Sequence, residues 1–444
     1  MIPASIAELA RSVALPGLKR AAAVVTRRLP IPQPTMIVGP GSSARLGQAV
    51  GDFGHRRILI VTDPIVSRLG LLRPLTTALA ASGTAFVVFD EITPDAPIPL
   101  VERGIELFGS EGCDAIIAFG GGSPMDAAKV IGLAVTNHKH PRKLVGYFRG
   151  LHAPVPIYAV PTTAGTGSEV TVAAVISDPE HGRKLVIADT RIVPRMAALD
   201  PELMVGLPPD ITAATGMDAL THAIEAYLGG WSTAFSDRMA LSAVGMIFEN
   251  LPIAYARGDD LGARERMAMA SAYAGQAFTR ANVGNVHAIA HQFGGRYHTP
   301  HGLANAIMLP HVLRFCSSAV TARLATLAVR AKLGTAGETE GKLARRLLDS
   351  IDEMNRSLGI PPHLDALREE DIPALAEAAC WEADTNYPVA RRMTQSECEQ
   401  LIRQVLPPKA AGGKAAKRAG PAAAARTAPG SRAARPAASA ARPS

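Results

Sequence analysis

The chain has 444 residues and a mass of 46.4 kDa, with 48% hydrophobic and 19% charged residues. This length predicts about two to three domains, and the composition is that of a globular protein, which excludes wholesale disorder and collagen-like repeats. Aromatic residues make up only 5% of the chain, so stacking platforms for nucleic acid are not expected.

The net charge of +7 is distributed unevenly along the chain. Residues 408–444 contain eight Lys or Arg residues and no acidic residue, and without these eight, 38 basic residues face 39 acidic ones. The high pI of 9.4 therefore arises from the basic residues of a C-terminal tail. Specific nucleic-acid binding, which calls for a basic surface on the folded part, is not expected.

The four cysteines, Cys113, Cys316, Cys380 and Cys398, form no Cys-x-x-Cys pair. This pattern indicates a reduced, cytoplasmic protein. No apolar run approaches the ~20 residues of a membrane helix, so no membrane partner is expected. Residues 1–30 are basic but lack the apolar core of a secretory signal. We expect an N-terminal helical extension there, with an organelle transit peptide as the alternative.

Between about residues 31 and 205, short β-rich runs alternate with helical stretches. The predicted strands are 57–62, 85–89, 114–119 and 155–160. The predicted helices are near 65–82, 98–112 and 124–135. This alternation predicts a parallel sheet flanked by helices, which is an α/β domain.

From residue 206 to 406 the pattern becomes helical. Long stretches rich in Ala, Leu and Met cover 211–228, 236–251, 263–281 and 319–332. We therefore predict an all-helical second domain. Beyond it, residues 407–444 consist mainly of Ala, Pro, Gly, Arg and Lys. Such a segment lacks the apolar side chains needed for a core, so a disordered tail is predicted.

A glycine-rich loop follows the third predicted strand. Gly120, Gly121, Gly122 and Ser123 lie between that strand and a predicted helix. Glycines allow a ligand to approach the backbone closely, and the N–H groups at a helix N-terminus attract anions. This context suits a pyrophosphate, with a simple tight turn as the alternative. The loop is not the usual Gly-x-Gly-x-x-Gly motif.

Two further segments also follow predicted strands. Asp63 ends the first strand, where a carboxylate can accept hydrogen bonds from ribose hydroxyls and repel a 2′-phosphate, or can simply cap a helix. Residues 161–169 form a loop rich in hydroxyl groups and glycine after the fourth strand. Because both loops follow strands, we expect them to share one crevice at the carboxyl ends of the strands.

Aspartate and histidine residues repeat at helical spacing in the predicted helical domain. Asp218 and His222 are four residues apart, and so are His287 and His291, which places each pair on one helix face. His301 follows shortly after. Carboxylate and imidazole donors suit a divalent transition metal such as Fe(II) or Zn(II). A single histidine is more often an ordinary core or surface residue, but this repeated pattern favours a metal site.

Four segments together resemble the iron-containing (group III) alcohol dehydrogenase family. They are residues 120–129, 161–171, 215–227 and 287–311, in the order found in that family. The resemblance extends from about residue 37 to residue 400. It implies an N-terminal dinucleotide-binding α/β domain, a C-terminal helical domain, and an active site in the cleft between them.

The resemblance also implies roles for individual residues. His291 would help to carry the alcohol proton away, and Asp63 would hold the adenosine ribose of the cofactor NAD. The implied metal ligands are Asp218, His222, His287 and His301. The other implied cofactor-binding positions are Asp95, Gly121, Gly122, Ser123, Asp126, Thr162, Thr163, Thr171 and Lys184.

Two segments depart from the family pattern. Asp95 stands where the family often has a neutral Asn near the cofactor. In residues 380–388 the sequence CWEADTNYP replaces the family's common Cys-Thr…Asn-Pro-Arg stretch. That wall of the pocket is therefore changed, and a shift in substrate choice is expected.

The implied activity is hydride transfer between a small alcohol and NAD, with the alcohol bound to Fe(II), or alternatively Zn(II), as an alkoxide. The expected partners are the alcohol or aldehyde substrate and further copies of the chain, in a homodimer or larger assembly. Three alternatives stay open at this point. They are a metal-dependent lyase of the dehydroquinate-synthase type, a hydroxyacid–oxoacid transhydrogenase, and a non-catalytic binding protein that uses the basic tail.

Overall fold

A computed structural model describes residues 29–408. The predicted N-terminal extension (1–30) and basic tail (407–444) lie almost wholly outside the described residues. Residues 29–407 belong to one compact unit. The division of this unit into two domains near residue 205 stays a prediction.

The described residues contain nine β-strands. They are β1 (Thr35–Val38), β2 (Arg57–Val61), β3 (Ala85–Phe89), β4 (Ala115–Gly120), β5 (Gly146–Tyr147), β6 (Ile157–Pro161), β7 (Ala173–Asp178), β8 (Arg183–Ala188) and β9 (Met196–Leu199). Six strands form a sheet in the order β1-β9-β6-β4-β2-β3, in which every pair is parallel. A smaller sheet has the order β5-β8-β7, and its β7 and β8 are antiparallel.

Thirteen α-helices lie in the same described part of the chain. Five accompany the sheet: α1 (Ser42–Gly51), α2 (Pro64–Arg68), α3 (Arg73–Ala81), α4 (Ile98–Ser110) and α5 (Gly122–Asn137). Eight follow it: α6 (Pro209–Leu228), α7 (Ala234–Ala256), α8 (Leu261–Ala281), α9 (Asn285–Tyr297), α10 (His301–Arg330), α11 (Glu340–Ser357), α12 (Ile372–Asn386) and α13 (Gln395–Arg403).

The parallel sheet is covered by apolar side chains on both faces. In β2, Leu59 and Val61 belong to one buried cluster, whereas Ile58 and Ile60 belong to another. Successive side chains of a strand point to opposite faces, so the two clusters lie on opposite sides of the sheet. Burial on both faces is typical of parallel sheets in α/β proteins and confirms the predicted fold class.

Several elements differ from those predicted. The helix predicted over 65–82 is divided into α2 and α3, and Gly70 between them has a φ of +70°, which a helix cannot contain. The helix predicted over 319–332 is the last part of the longer α10, which is kinked at Val320. The strands β1, β5, β7, β8 and β9 were not predicted.

The helices α6 to α13 pack together around a single large hydrophobic cluster. Helix α6 contributes the longest buried stretch, in which every residue from Gly216 to Leu228 is buried. Helices α7 and α10 are long and apolar enough to cross a membrane by length and composition alone, a test that core helices of soluble proteins also pass. Here they contribute side chains such as Ile247 and Leu309 to the shared cluster.

Candidate metal and cofactor site

The four predicted metal ligands lie together. One ligand atom from each of Asp218, His222, His287 and His301 lies within 4.8 Å of the others. Asp218 Oδ1 is 3.9 Å from His287 Nε2 and 3.6 Å from His301 Nε2. Three different helices supply these side chains, so the cluster depends on how α6, α9 and α10 pack.

A close contact between helices brings His301 to α6. A β-carbon on Gly302 would lie 2.3 Å from the carbonyl oxygen of Ala214 and 3.3 Å from Asp218 Cβ. Only a glycine fits between these atoms without displacing backbone. The first turn of α10, which carries His301 and Asn305, therefore lies directly against the helix that carries Asp218.

A buried carboxylate orients His287. Glu225 Oε2 lies 2.6 Å from His287 Nδ1, and the two carboxylate oxygens also accept the N–H groups of Gly284 and Val286. Burial raises the pKa of Glu225 to about 7, although the backbone donors act in the opposite direction. A carboxylate on one ring nitrogen leaves the other nitrogen to ligate a metal, an arrangement common in metal sites.

The donor set fits a divalent metal ion. Desolvation lowers the pKa of His301 to about 4 and lowers the pKa of His222 and of His287 below the ordinary value, so the imidazoles are neutral at pH 7, the form that ligates metals. His222 Nδ1 is buried and has no hydrogen-bond partner among the described residues. A buried polar nitrogen without a partner raises the free energy of the folded state unless another group binds it.

Asn305 also reaches into the cluster. Its Nδ2 donates to Asp218 Oδ1 over 2.7 Å and lies 3.1 Å from His287 Nε2 and 3.2 Å from His301 Nε2. Its Oδ1 is buried without a partner in the described part of the chain. The amide thus contacts three of the four candidate ligands at once.

His291 borders the cluster but stays partly open to solvent. Its ring is stacked on His301, with centroids 5.2 Å apart, and its side chain is 31% exposed. His291 Nδ1 lies 2.6 Å from Oε1 of Glu382, a residue of α12. The predicted proton-relaying residue is therefore near the candidate ligands and near water.

The two predicted cofactor loops lie side by side. Strands β4 and β6 are neighbours in the sheet, and the N–H of Thr162 donates to the carbonyl of Gly120 over 3.0 Å. A β-carbon on Gly121 would be 3.6 Å from Thr163 Oγ1, and one on Gly122 would be 2.8 Å from Thr166 Cγ2. The glycine loop opens α5, so its helix N-terminus faces this crevice at the carboxyl ends of the strands.

Asp63 combines two contacts. Its Oδ1 caps α2 by accepting the N–H groups of Ile65 and Val66, each at 2.9 Å. Its Oδ2 lies 3.3 Å from the position that a β-carbon would take on Gly120. One carboxylate oxygen thus serves the helix cap, and the other lies beside the glycine loop.

Asp95, Ser123 and Lys184 form a connected group at the same crevice. Lys184 Nζ donates to Asp95 Oδ1 over 2.7 Å, and the N–H of Asp95 donates to Ser123 Oγ over 3.0 Å. Asp95 has a φ of +67°, a left-handed conformation that Asp tolerates better than most residues. Lys184 also lies near Gly294 of α9, 3.8 Å from where its β-carbon would be.

Asp126 and Thr171 belong to a buried polar network around Lys129. Lys129 Nζ donates to the Oγ atoms of Ser168 and Thr171, each at 2.9 Å, and to two backbone carbonyls. Asp126 accepts the hydroxyl of Ser168 and the N–H of Val175. Burial lowers the pKa of Lys129 to about 8, against the charge of Asp126. The network ties α5 to the loop 161–171.

The structure adds three side chains to this site that the sequence analysis did not assign: Glu225, Asn305 and Glu382. Glu225 and Asn305 follow His222 and His301 by three and four residues, so helical spacing could have indicated both. Glu382 lies about ninety residues from His291, and no local signal links the two.

Known proteins match this chain over most of its length. A family model described as "Iron-containing alcohol dehydrogenase" matches residues 33–201, and one described as "Fe-containing alcohol dehydrogenase family, C-terminal" matches residues 212–406. The chain is 37% identical over 375 residues, 84% of this chain and 98% of the relative, to an NAD-dependent methanol dehydrogenase of Bacillus methanolicus. It is 39% identical to lactaldehyde reductase of Escherichia coli (strain K12), covering 77% of this chain and 90% of that protein.

The fold is similar to that of solved structures. A crystal structure of 1,3-propanediol oxidoreductase matches with a TM-score of 0.82 and 37% identity, covering 84% of this chain and 98% of that chain. The chain belongs to the iron-containing alcohol dehydrogenase family. It is accordingly an oxidoreductase that acts on CH–OH groups.

Proposed function

We propose that the protein is a metal-dependent, NAD-linked alcohol dehydrogenase that interconverts a small alcohol and the matching aldehyde. The alcohol carbon gives a hydride to NAD⁺, and the hydroxyl proton leaves for solvent, so the products are an aldehyde, NADH and a proton. The observation that carries this proposal is the cluster of Asp218, His222, His287 and His301. Two of these residues lie on the helix against which the loop 161–171 packs. The named activities of the relatives favour it over the lyase and transhydrogenase alternatives.

In this proposal Asp218, His222, His287 and His301 hold one divalent ion, with Fe(II) favoured by the family and Zn(II) as the alternative. Such an ion supplies a Lewis acid that makes a hydroxyl group more acidic. Glu225 keeps the His287 ring in the ligating orientation through its 2.6 Å contact with Nδ1. Asn305 holds Oδ1 of Asp218 in place through the hydrogen bond that its Nδ2 donates.

The cofactor is held by the crevice between the two loops. Gly121, Gly122 and Ser123 bind its pyrophosphate, because the loop offers backbone N–H groups at a helix N-terminus. Asp63 binds the adenosine ribose and repels a 2′-phosphate, so NAD is preferred to NADP. The remaining cofactor contacts come from Asp95, Asp126, Thr162, Thr163, Thr171 and Lys184.

His291 takes the hydroxyl proton of the alcohol and passes it to solvent. Its ring is stacked against His301, and the same side chain is partly exposed, so it can connect the reacting group with water. The substrate is a small alcohol or aldehyde, since relatives of the chain are named for methanol, lactaldehyde and 1,3-propanediol. We also propose a cytoplasmic homodimer or larger homo-oligomer.

Metal replacement tests this function. Metal-stripped protein is prepared anaerobically and receives Fe(II), Zn(II) or no metal, and nicotinamide absorbance is followed with primary alcohols, diols and aldehydes. We expect turnover only with added metal and a preference for NAD over NADP. The variant His287→Ala is expected to lose metal and turnover together. The absence of nicotinamide turnover with every metal and substrate would contradict the proposal.

A further inference from the structure

The carboxylate of Glu382 is held by three side chains. Its Oε1 lies 2.6 Å from His291 Nδ1 and accepts the hydroxyl of Tyr387 over 2.6 Å, while its Oε2 accepts Gln292 Nε2 over 2.8 Å. Glu382 belongs to α12, whereas His291 and Gln292 belong to α9. We propose that Glu382 is the positioning residue for the proton-relaying His291, acting through the hydrogen bond to Nδ1.

The contact fixes which nitrogen of His291 faces the reaction. An ionised carboxylate can only accept hydrogen bonds, so the hydrogen of the neutral ring lies on Nδ1. Burial acts to raise the pKa of Glu382, but His291, Tyr387 and Gln292 outweigh it and hold this pKa below its ordinary value. The lone pair of His291 is therefore on Nε2, which is the atom left to accept the proton of an alcohol.

The ring is also fixed in direction. The plane of His291 lies at 19° to that of His301, with a centroid separation of 5.2 Å. With Nδ1 held by Glu382 on one edge and one face held by His301, rotation of the imidazole about its Cβ–Cγ bond would break both contacts. Because three donors converge on the carboxylate, its own direction is set by more than the histidine alone.

A second carboxylate, that of Asp371, also joins α12 to α9 but does not contact His291, so it serves as a control for Glu382. Asp371, at the start of α12, accepts Arg296 Nη2 over 2.9 Å and the hydroxyl of Tyr297 over 2.8 Å, and both donors are on α9. The side chains of Asp371 and Glu382 are 16% and 17% exposed. Both carboxylates thus tie the same two helices together at similar burial, but only Glu382 contacts His291.

This inference rests on the proposed function, and a double-mutant cycle tests it. The metal-loaded variants Glu382→Ala, Glu382→Gln, His291→Ala and the double variant Glu382→Ala/His291→Ala are compared with Asp371→Asn. We expect Glu382→Ala to lower kcat by about 10–100-fold, as loss of an orienting partner typically does, with little change in the KM values for alcohol and NAD.

In the His291→Ala background, replacing Glu382 with Ala should not lower kcat further, because the two residues act as one unit. Asp371→Asn should keep the wild-type kcat.

Histidine NMR gives a readout that does not depend on turnover. In zinc-loaded protein with ¹⁵N-labelled histidine, long-range ¹H–¹⁵N correlations report which ring nitrogen carries the hydrogen, and His291→Ala assigns the signal. We expect the Nδ1–H form in the wild type and in Asp371→Asn, and a mixture of forms in Glu382→Ala. If the alanine variant does not fold, Glu382→Leu decides the comparison, because leucine is similar in bulk to glutamate but offers Nδ1 no acceptor. Glu382→Gln should keep the Nδ1–H form and lose less kcat, because its amide oxygen still accepts from Nδ1.

Two results would overturn the assignment of Glu382. One is a wild-type tautomer of His291 in a folded variant that lacks the acceptor, either Glu382→Ala or Glu382→Leu. The other is a Glu382→Ala/His291→Ala variant whose loss of kcat equals the product of the two single losses. A wild-type protein without nicotinamide turnover would instead contradict the proposed function. In that case the NMR comparison still decides whether Glu382 sets the state of His291.

Discussion

The amide of Asn305 lies among three candidate ligands of the metal. Its hydrogen bond to Asp218 Oδ1 turns one carboxylate oxygen toward the imidazoles of His287 and His301. With Asn305 absent, the aspartate could rotate and the cluster would lose its preformed shape. Partners of this kind, which do not ligate the metal themselves, commonly change metal affinity because they orient the residues that do.

We predict that Asn305→Ala weakens metal binding by about 10–100-fold, because Asp218 loses its orienting donor. Competition with a coloured chelator measures the affinity. Asn355→Ala is the matched control. Asn355, a residue of α11, is also buried, and it donates to the carbonyl of Ala306 on α10, the helix that carries Asn305. That control should cost about 1–3 kcal/mol of stability and leave metal affinity unchanged. Equal metal affinity in Asn305→Ala and the wild type would contradict the prediction.

Side chains of the site differ in how far sequence could reveal them. Helical spacing placed Asp218 and His222 on one face of a helix, whereas the choice of ligands that joins them to His287 and His301 came from the family resemblance. In the structure, one ligand atom from each of the four lies within 4.8 Å of the others. Glu382 was not predicted, because its contact with His291 arises from the packing of α12 on α9. Contacts between helices that are distant in sequence leave no periodic signal.

At the scale of elements, the loop 161–171 joins the sheet to the helices. A β-carbon on Gly165 would lie 2.7 Å from Thr215 Cβ on α6. Gly167 approaches α8 as closely, since its β-carbon would be 2.8 Å from the carbonyl oxygen of Ser271 and 2.9 Å from Gly275 Cα. The loop that borders the cofactor crevice is thus packed directly on the helix that carries Asp218 and His222.

We predict that Gly167→Ala lowers the free energy of unfolding by about 2–4 kcal/mol, from steric overlap with backbone and from a left-handed φ of +60°. Gly182→Ala separates the two causes, because Gly182 has a φ of +59° but no atom within 4 Å of its β-carbon position. This control should lose only about 1–2 kcal/mol. Denaturant unfolding of both variants measures the difference, and equal losses would show that the loop has room to move.

Elements with strong local patterns were predicted, and those without were not. The four predicted strands match β2, β3, β4 and β6 within two residues at each end, since each is a short apolar run in the core of the sheet. The hairpin of β7 and β8 was missed because polar residues shorten its apolar runs. Ser177 and Asp178 end β7, and Arg183 and Lys184 begin β8. Strands β1 and β9 have only four residues each, too few for a periodic signal.

On the scale of the whole molecule, the net charge of the part that carries the site differs from that of the C-terminal segment. Residues 408–444 hold eight basic residues and no acidic one, and the rest of the chain has nearly equal numbers of each sign. The site described above lies within residues 63–382. An enzyme for small alcohols does not need a basic segment for its chemistry, so the segment should act only through long-range, salt-sensitive attraction.

We predict that removal of residues 409–444 abolishes retention on a heparin column at low salt, because the protein loses its excess of positive charge. For the full-length protein, retention should fall steeply as salt is added, since exposed charges are screened within about 10 Å at 0.1 M ionic strength. The turnover number with NAD and the melting temperature should be the same in both proteins, because the metal and cofactor residues all lie before residue 409. Equal retention of the shortened protein would assign the polyanion affinity to the folded part, and a loss of turnover would assign the segment a role in the active enzyme.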